Sequence, residues 1–578
     1  MFAGPLVSRE ALTAPRQLKH FLIRSGYVGG LFVLLYTAVQ ATFGLQQVSR
    51  LGELARFGAL MFQMISLVQM TLIIFFAVLF AAGRVAQEKD RRTLLLLLMT
   101  DLKSIELVGG KLGASLLLVG VLLLTSLPVL ASMLLLGGVS PWQIFGSLLL
   151  TAAVGLAAGA WGNLVAFWRE KTFQTLAISV LGIVLFFGAV ELLGVLLSIV
   201  GQSGLARTVI LLNPYRGLSA LFQPLTMQAN GQNAIAAVLT SAALMTTLGA
   251  LLLATTTARL RIWNPSRTMG EAARSEDDRL AAPARKHREI WENPVVWREI
   301  CTRAYGRKIV LIKLAYILLA GLMIASAVFS IDPSRKLLGM LPPVGFAFVG
   351  MSLVSMLLIN AQAVTAFTSE RDGGTLELLL VTNVTAKEFI YGKLLGVLYN
   401  TMELLIIPVG FLIWLMLQQQ ITFENFVYLV IGLFVLCTFA AMLGLHSGLS
   451  YFSSRTAISN SLGTIFFLFI GIFICLMLIV QAQSSFSLQL PTFLVFILGG
   501  SLGLWVSLTH HNPSPALTLA AGILPFLTFY AITSFLLGQT LGVCISLTAA
   551  YGFTTLAMLI PAINSFDMAL GRSTTERA

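Results

Sequence analysis

Apolar runs of about 20 residues recur along the whole chain, and they leave it one kind of fold. A run of that length crosses a hydrocarbon layer of roughly 30 Å only as a helix that satisfies its own peptide groups. Six such runs lie near 27–45, 59–82, 108–137, 142–167, 173–200 and 234–258. Six more lie near 309–330, 343–368, 390–417, 424–450, 457–482 and 540–563. Two further apolar stretches, 486–508 and 516–537, take the second half from six to as many as eight spans. With 57% hydrophobic and 11% charged residues, the chain carries less than half the charge of an average soluble domain, about 25%. The sequence predicts an all-α polytopic membrane protein with twelve spans, or fourteen if both extra stretches cross.

Lys and Arg collect in loops on the cytoplasmic side of membrane proteins. With the N-terminus placed inside, the inner segments hold Arg9, Arg16, Lys19, Arg24, Arg84, Lys89, Arg91, Arg92, Lys103, Lys111, Arg169 and Lys171, and most of the basic residues of 259–308. The outer loops keep only Arg50, Arg56, Arg207, Arg216, Arg335 and Lys336 of 37. A multi-pass protein of the inner (cytoplasmic) membrane is expected, with both termini in the cytoplasm. The net charge of +13 then flanks spans and faces anionic headgroups, and no aromatic-interleaved basic stripe points to nucleic acid. Cys301, Cys437, Cys475 and Cys544 lack CxxC spacing, so neither a disulfide framework nor a metal site is indicated. The first apolar run begins near Tyr27 with no cleavage site after it, so it is expected to serve as the targeting signal itself.

An internal repeat organises the chain. Glu88 to Ala114, EKDRRTLLLLLMTDLKSIELVGGKLGA, aligns without a gap with Glu370 to Gly396, ERDGGTLELLLVTNVTAKEFIYGKLLG, at a constant offset of 282 positions. Pro5 to Glu10 resembles Pro294 to Glu299, each ahead of a first span, and Lys171-Thr172 matches Arg455-Thr456 between a fourth and a fifth. Three anchors in one order imply two homologous membrane domains, related by a pseudo-two-fold axis along the membrane normal. Between them, roughly Ile262 to Ile290, the mixed-charge RSEDDRLAAPARKHRE reads as a solvated linker. After it, Pro294 to Lys308 sets Val295, Val296 and Ile300 against Arg298, Glu299, Arg303 and Arg307. That pattern suits a helix lying along the inner membrane surface.

The repeated block is the candidate site. Glu88-Lys-Asp90 or Glu370-Arg-Asp372 leads into a short helix that opens at Thr93 or Thr375 and closes near Thr100-Asp101 or Thr382-Asn383. About seven residues make ~10 Å of helix, too little to stand alone. Leu96, Leu97 and Leu98, or Leu378, Leu379 and Leu380, must therefore pack on something, at up to ~1.5–3 kcal/mol each if fully buried. Their own membrane domain, the headgroup region and a cytoplasmic partner are the choices, and the repeated charged lead-in with its fixed polar exit favours the partner. Thr385 and Glu388 have capping-box spacing, whereas Lys103 replaces Thr385 in the first copy, where no such cap is expected. Lys111 and Lys393 read as snorkelling anchors at the inner end of the third span of each half.

The pattern E-x-D-x-x-T-L-x-L-L-L-x-T followed by G-K-L resembles the signature region of ABC-2-type permeases, the membrane subunits of ABC exporters. The resemblance implies two tandem six-helix transmembrane domains, 1–261 and 291–578, joined by the linker 262–290. It also implies a coupling helix in each block that rides on an ATPase. The coupling residues it carries over are Glu88, Asp90, Thr93, Leu96, Leu97 and Thr100 in the first copy. In the second they are Glu370, Asp372, Thr375, Leu379, Leu380 and Thr382. The segment before the second domain resembles the family's connecting helix, and the regions from Asn213-Pro214 to Phe222 and 486–537 fit its re-entrant helices. The first copy departs from the pattern, with Arg91-Arg92 against Gly373-Gly374 and Leu95 against Glu377, which implies unequal coupling sites. No G-x-x-x-x-G-K-[ST] loop occurs, so this chain is not expected to be an enzyme. ATP and Mg would belong to two copies of a partner ATPase, and the chain itself would bind no cofactor.

Three other classes compete with this reading. An ion-coupled secondary transporter wants ionisable groups deep in the membrane, where Glu191, Glu403 and His446 are the candidates. Glu191 and His446 fall near span ends, leaving Glu403 as the residue for a translocation path. Gly201-Gln-Ser203-Gly204 matches the G-x-S-G of rhomboid proteases over four residues, in a place where Gly and Ser mark an ordinary turn. A membrane anchor that recruits an ATPase without transport also fits. The substrate is not written in the sequence, and membrane lipids are the one other expected partner.

Overall fold

The computed structural model describes residues 18–44, 51–91, 93–169, 171–222, 228–264, 291–301, 309–328, 341–374, 376, 384–480, 486–510 and 514–569. Every regular element among them is a helix. The first part contains α1 (Leu18–Phe43), α2 (Leu51–Asp90), α3 (Thr93–Leu98), α4 (Ser104–Leu136), α5 (Pro141–Trp168), α6 (Thr172–Ile199), α7 (Ser203–Ile210), α8 (Pro214–Leu221) and α9 (Gln228–Trp263). The second contains α10 (Pro294–Cys301), α11 (Ile309–Val328), α12 (Pro343–Asp372), α13 (Ala386–Asn400), α14 (Met402–Leu417) and α15 (Phe423–Ser450). It closes with α16 (Ser454–Ile479), α17 (Phe486–Leu508), α18 (Pro515–Leu536) and α19 (Thr540–Ala569). Among the described residues thirteen helices are long and apolar enough to cross a membrane, and fourteen if α13 and α14, bent by 52° at Thr401, count as one span.

Local chemistry sets the helix ends. Ser140 and Gln143 form a capping box that opens α5 ahead of Pro141. Thr385 and Glu388 do the same for α13: the Thr385 amide donates to Glu388 Oε2 (2.9 Å) and the Glu388 amide to Thr385 Oγ1 (3.2 Å). In the first copy Glu106 still reaches back to the Lys103 amide (3.1 Å). Half of the cap therefore survives without the threonine, because that half needs only a backbone donor.

The offset of the repeat extends into the packing. At Gly162 of α5 a Cβ would sit 2.8 Å from the Val78 carbonyl of α2. At Gly444 of α15 it would sit 2.7 Å from Ala363 and 2.8 Å from the Asn360 carbonyl of α12. Gly162 and Gly444, like Val78 and Asn360, are 282 positions apart. Only a hydrogen fits between the two backbones at either place. The helices these glycines join, α2 with α5 and α12 with α15, pack against each other along their length, α5 also packs on α9, and α15 likewise packs on α19. Contacts between the two parts run from α6 to α11 and α12, from α2 to α16, and from α1 to α17. Phe75 of α2 stacks on Phe466 of α16 at 4.0 Å between centroids.

The connections after the fifth long helix differ. In the first part α7 and α8 are single short helices at the end away from the repeated block, where the sequence reading put a re-entrant segment. Arg216 of α8 grips Glu191 of α6 through two bonds of 3.0 Å, and Asn213 adds a third at 2.8 Å. The bond to Glu191 raises the Arg216 guanidinium above its ordinary value, so Glu191 is a helix-to-loop anchor. In the second part α17 and α18 are full-length. The buried His446 ring bonds the Leu508 carbonyl (2.9 Å), and His510 stacks on Tyr451 (4.6 Å). These contacts bring α17 back to the block end, so the re-entrant reading of 486–537 gives way to two helices running from end to end. Burial pushes the Tyr451 phenol up to about 12, so it stays neutral in that stack.

Candidate functional site

Four charged side chains converge where the second copy of the block meets α10. Lys393 of α13 donates to Glu299 Oε1 (2.6 Å), Glu370 Oε1 (2.6 Å) and the Ala366 carbonyl (3.2 Å). Arg298 bonds Glu370 and stands 3.5 Å from Glu299. The Lys393 and Glu299 side chains are 1% and 2% exposed. Burying such charges costs several kcal/mol per ion, and two cations facing two carboxylates offset it. This corrects the snorkelling reading of Lys393 and of Lys111, which is 7% exposed. A snorkelling lysine ends in water, whereas Lys393 ends on the largely buried Glu299 and Glu370 and Lys111 on Glu88, 32% exposed.

Glycines let the cluster close. A Cβ at Gly392 would lie 2.9 Å from Val295 Cβ, and one at Gly396 would lie 2.6 Å from Glu299 Cβ. These residues share one face of α13 at i, i+4 spacing, and α10 lies along it. Asn293 caps α10 through the Val295 and Val296 amides (3.0 and 3.1 Å) and donates to the Glu388 carbonyl (3.1 Å). The face of α10 turned to protein carries Val295 and Glu299, each 3% exposed, whereas Val296 and Ile300 are only partly buried, so the expected split of an apolar face against Glu299 is corrected. The counterpart Pro5 to Glu10 lies outside the described residues.

The first copy repeats the core of this arrangement in reduced form. Lys111 pairs with Glu88, and the side chains are 8% and 32% exposed. Lys89 donates to the Phe167 and Arg169 carbonyls (2.6 and 2.9 Å) at the end of α5. Its counterpart Arg371 donates to the Gly448 carbonyl (3.0 Å) and to that of Tyr451 at the end of α15. Both basic residues satisfy the carbonyls that a helix terminus leaves without partners.

On this footing sits α3. Thr93 donates to the Glu88 carbonyl (3.2 Å), and Thr100 closes the helix on the Leu97 carbonyl (2.6 Å). Leu94 is buried against Val85, Leu107, Val108, Phe167 and Leu260. Leu97 and Leu98 are partly buried on the same cluster, whereas Leu95, Leu96 and Met99 are 43%, 66% and 77% exposed. In the second copy Leu376, the counterpart of Leu94, packs on the core, while Thr375, Leu379, Leu380 and Thr382, like the side chain of Asp90, lie outside the described residues. The two copies meet at Asp372, 4% exposed, which accepts the Ser454 hydroxyl and faces Arg91 of the first copy at 3.8 Å. Gln87 adds a bond from its amide to Ser453 (3.3 Å).

Glu403 forms an ion pair with Lys313 of α11, with side chains 41% and 32% exposed. Ser203 opens α7 at the end of the bundle opposite His446. Among the described residues no group of three His, Cys, Asp or Glu could hold a metal ion. Sequence reasoning missed Arg298 and Glu299 as members of the site, although the matching Arg-Glu pairs of the Pro5 and Pro294 segments were the signal.

The fold defines a polytopic α-helical membrane protein with a repeated, charge-anchored block at one end. Neither a protein-family model nor a curated protein matches the chain.

Proposed function

We propose that this chain is the membrane-spanning permease subunit of an ABC exporter. Two ABC-2-type halves, 1–261 and 291–578, would form the translocation path, and a coupling helix in each block would meet one of two ATPase subunits. The observation that carries the reading is the division of α3: Leu94 is sealed into the bundle, while Leu95, Leu96 and Met99 point away from it on a charge-anchored footing. A helix of six residues held this way is a rigid apolar knob, suited to a cleft in another protein. Closure of the ATPases would press on both knobs and rock the halves. ATP and Mg are bound by the partner in this reading, and the block end faces the cytoplasm of an inner-membrane protein. The alternative, ion-coupled transport through Glu403, is disfavoured by its ion pair with Lys313, a resident partner that a transported ion would have to displace.

Co-purification with an ABC ATPase encoded beside the chain tests the reading. Two ATPase copies per chain are expected, with hydrolysis that depends on the ATPase's own P-loop. Leu96→Asp combined with Met99→Asp should weaken association while leaving folding within about 0.5 kcal/mol, as for most surface substitutions. Undiminished association in that variant removes α3 from the interface.

A further inference from the structure

We infer that ordered water binds the Gln362 side chain beside the break between α13 and α14. Gln362 is 0% exposed, and among the described residues neither Nε2 nor Oε1 of its amide has a hydrogen-bond partner. An amide sealed from solvent in that state is strongly destabilising. Helical spacing sets its surroundings. Seven residues earlier on α12, Ser355 donates its hydroxyl to the Leu404 carbonyl of α14 (2.8 Å), and four residues later the Ala366 carbonyl accepts from Lys393 of α13 (3.2 Å). Residues so spaced share one face, so Gln362 lies on the face of α12 that α13 and α14 cover. The two contacts run in opposite chain directions, which puts Gln362 level with the last turn of α13.

That turn ends in freed peptide groups. The Thr401 amide still bonds the Val397 carbonyl (3.1 Å), and the ladder resumes only at Leu404, whose amide bonds Thr401 (2.9 Å). Thr401 does not cap α14, since its hydroxyl turns back to Val397 (2.8 Å). A broken helix leaves carbonyls on one side and amides on the other to be satisfied from outside. The first half has neither feature: at the same offset Ile73 replaces Ser355, Phe80 replaces Gln362 and Val119 replaces Thr401, and α4 passes that level unbroken. The buried amide and the break thus come together in one half and are missing together from the other. The amide's chemistry then selects the ligand. Oε1 needs a donor and Nε2 an acceptor, so a cation serves only the first and an anion only the second. Water serves both, is small enough for a site closed to solvent, and passes the bonding on to peptide groups of the break. This site stands independently of the transport reading.

Two measurements on the full chain in nanodiscs test this. Electron cryomicroscopy at a resolution that shows ordered waters should find density within hydrogen-bonding distance of the Gln362 amide and of a peptide group between Val397 and Leu404. An amide bonded to a protein group instead, or one without neighbouring density in a map that shows buried waters elsewhere, would overturn the inference. Gln362→Met keeps the length of the side chain, removes its polar atoms and reads the sign of the change in Tm. With water bridging the amide to the break, the variant leaves the remaining partners unsatisfied and Tm falls. With a dry amide, the apolar replacement removes a buried polar group that bonded nothing, so a Tm that rises or stays the same sinks the proposal.

Discussion

In the second copy of the block, Lys393 lies between Glu299 and Glu370 with Arg298 completing the balance, and the lysine is 1% exposed. In the first, Lys111 meets Glu88, whose side chain remains 32% exposed. The same residues at the same offset are therefore anchored with different stringency. The extra partner in the second copy is α10, admitted by Gly392 and Gly396. A charge that water still reaches tolerates an imperfect partner, whereas one sealed from water does not.

Lys393→Met should break that contrast most severely. It leaves Glu299 and Glu370 sharing a buried site with only Arg298, and a broken buried pair costs about 3–5 kcal/mol. Lys111→Met leaves a carboxylate that water can reach, for a cost of about 1 kcal/mol or less. Thermal unfolding of the two purified variants measures the difference. Equal losses would mean that burial at Lys393 does not set its importance.

Close packing gives the next largest effects. Gly396→Ala puts a methyl 2.6 Å from Glu299 Cβ, and overpacking of this kind costs about 1–3 kcal/mol. The first copy already has Ala114 at the equivalent position, so the change asks the second half to live as the first does, at the expense of α10. Gly162→Ala and Gly444→Ala form the control pair. Both meet a backbone carbonyl at an equivalent position, and Gly444 also meets Ala363 Cβ at 2.7 Å, so in the same unfolding assay its loss should equal or exceed that at Gly162. A smaller loss at Gly444 would confine the structural repeat to the block itself.

Much of this was legible in advance for a physical reason: spans, repeats and caps are encoded locally. Period, run length and a Thr-x-x-Glu spacing sit in adjacent residues, so α13 and its cap were readable. The partners of Lys393 were not, since Glu299 lies 94 positions away and nothing near Lys393 announces α10. The glycines at 392 and 396 carry that message, but in an apolar helix they look like any others. The break at Thr401 was hidden inside a continuous apolar run, 390–417. Length alone also left 486–537 undecided between dipping and crossing, until His446 and Tyr451 placed the far end of α17. For α3, composition supplied the leucines, while packing decided that Leu94 turns inward and Leu96 outward.

Arg91 carries the smallest expected effect and the most specific one. It stands where the second copy has Gly373, and in the fold it reaches Asp372 of that copy at 3.8 Å. The sequence difference between the copies is thus also a contact between them. Arg91→Gly installs the second copy's residue in the first. Its guanidinium is 49% exposed, so the pair contributes about 0.2–1 kcal/mol, and Asp372 keeps the Ser454 hydroxyl when it is lost. A double-mutant cycle of Arg91→Gly with Asp372→Asn isolates this term from the other consequences of each change. The coupling should be largest at low ionic strength and fall in part as salt rises, because the Arg91 side chain is half-exposed to screening ions while Asp372 is buried. A null coupling at low salt would mean that the two blocks are neighbours without being joined here. The unequal lead-in sequences would then reflect separate surroundings rather than one shared contact.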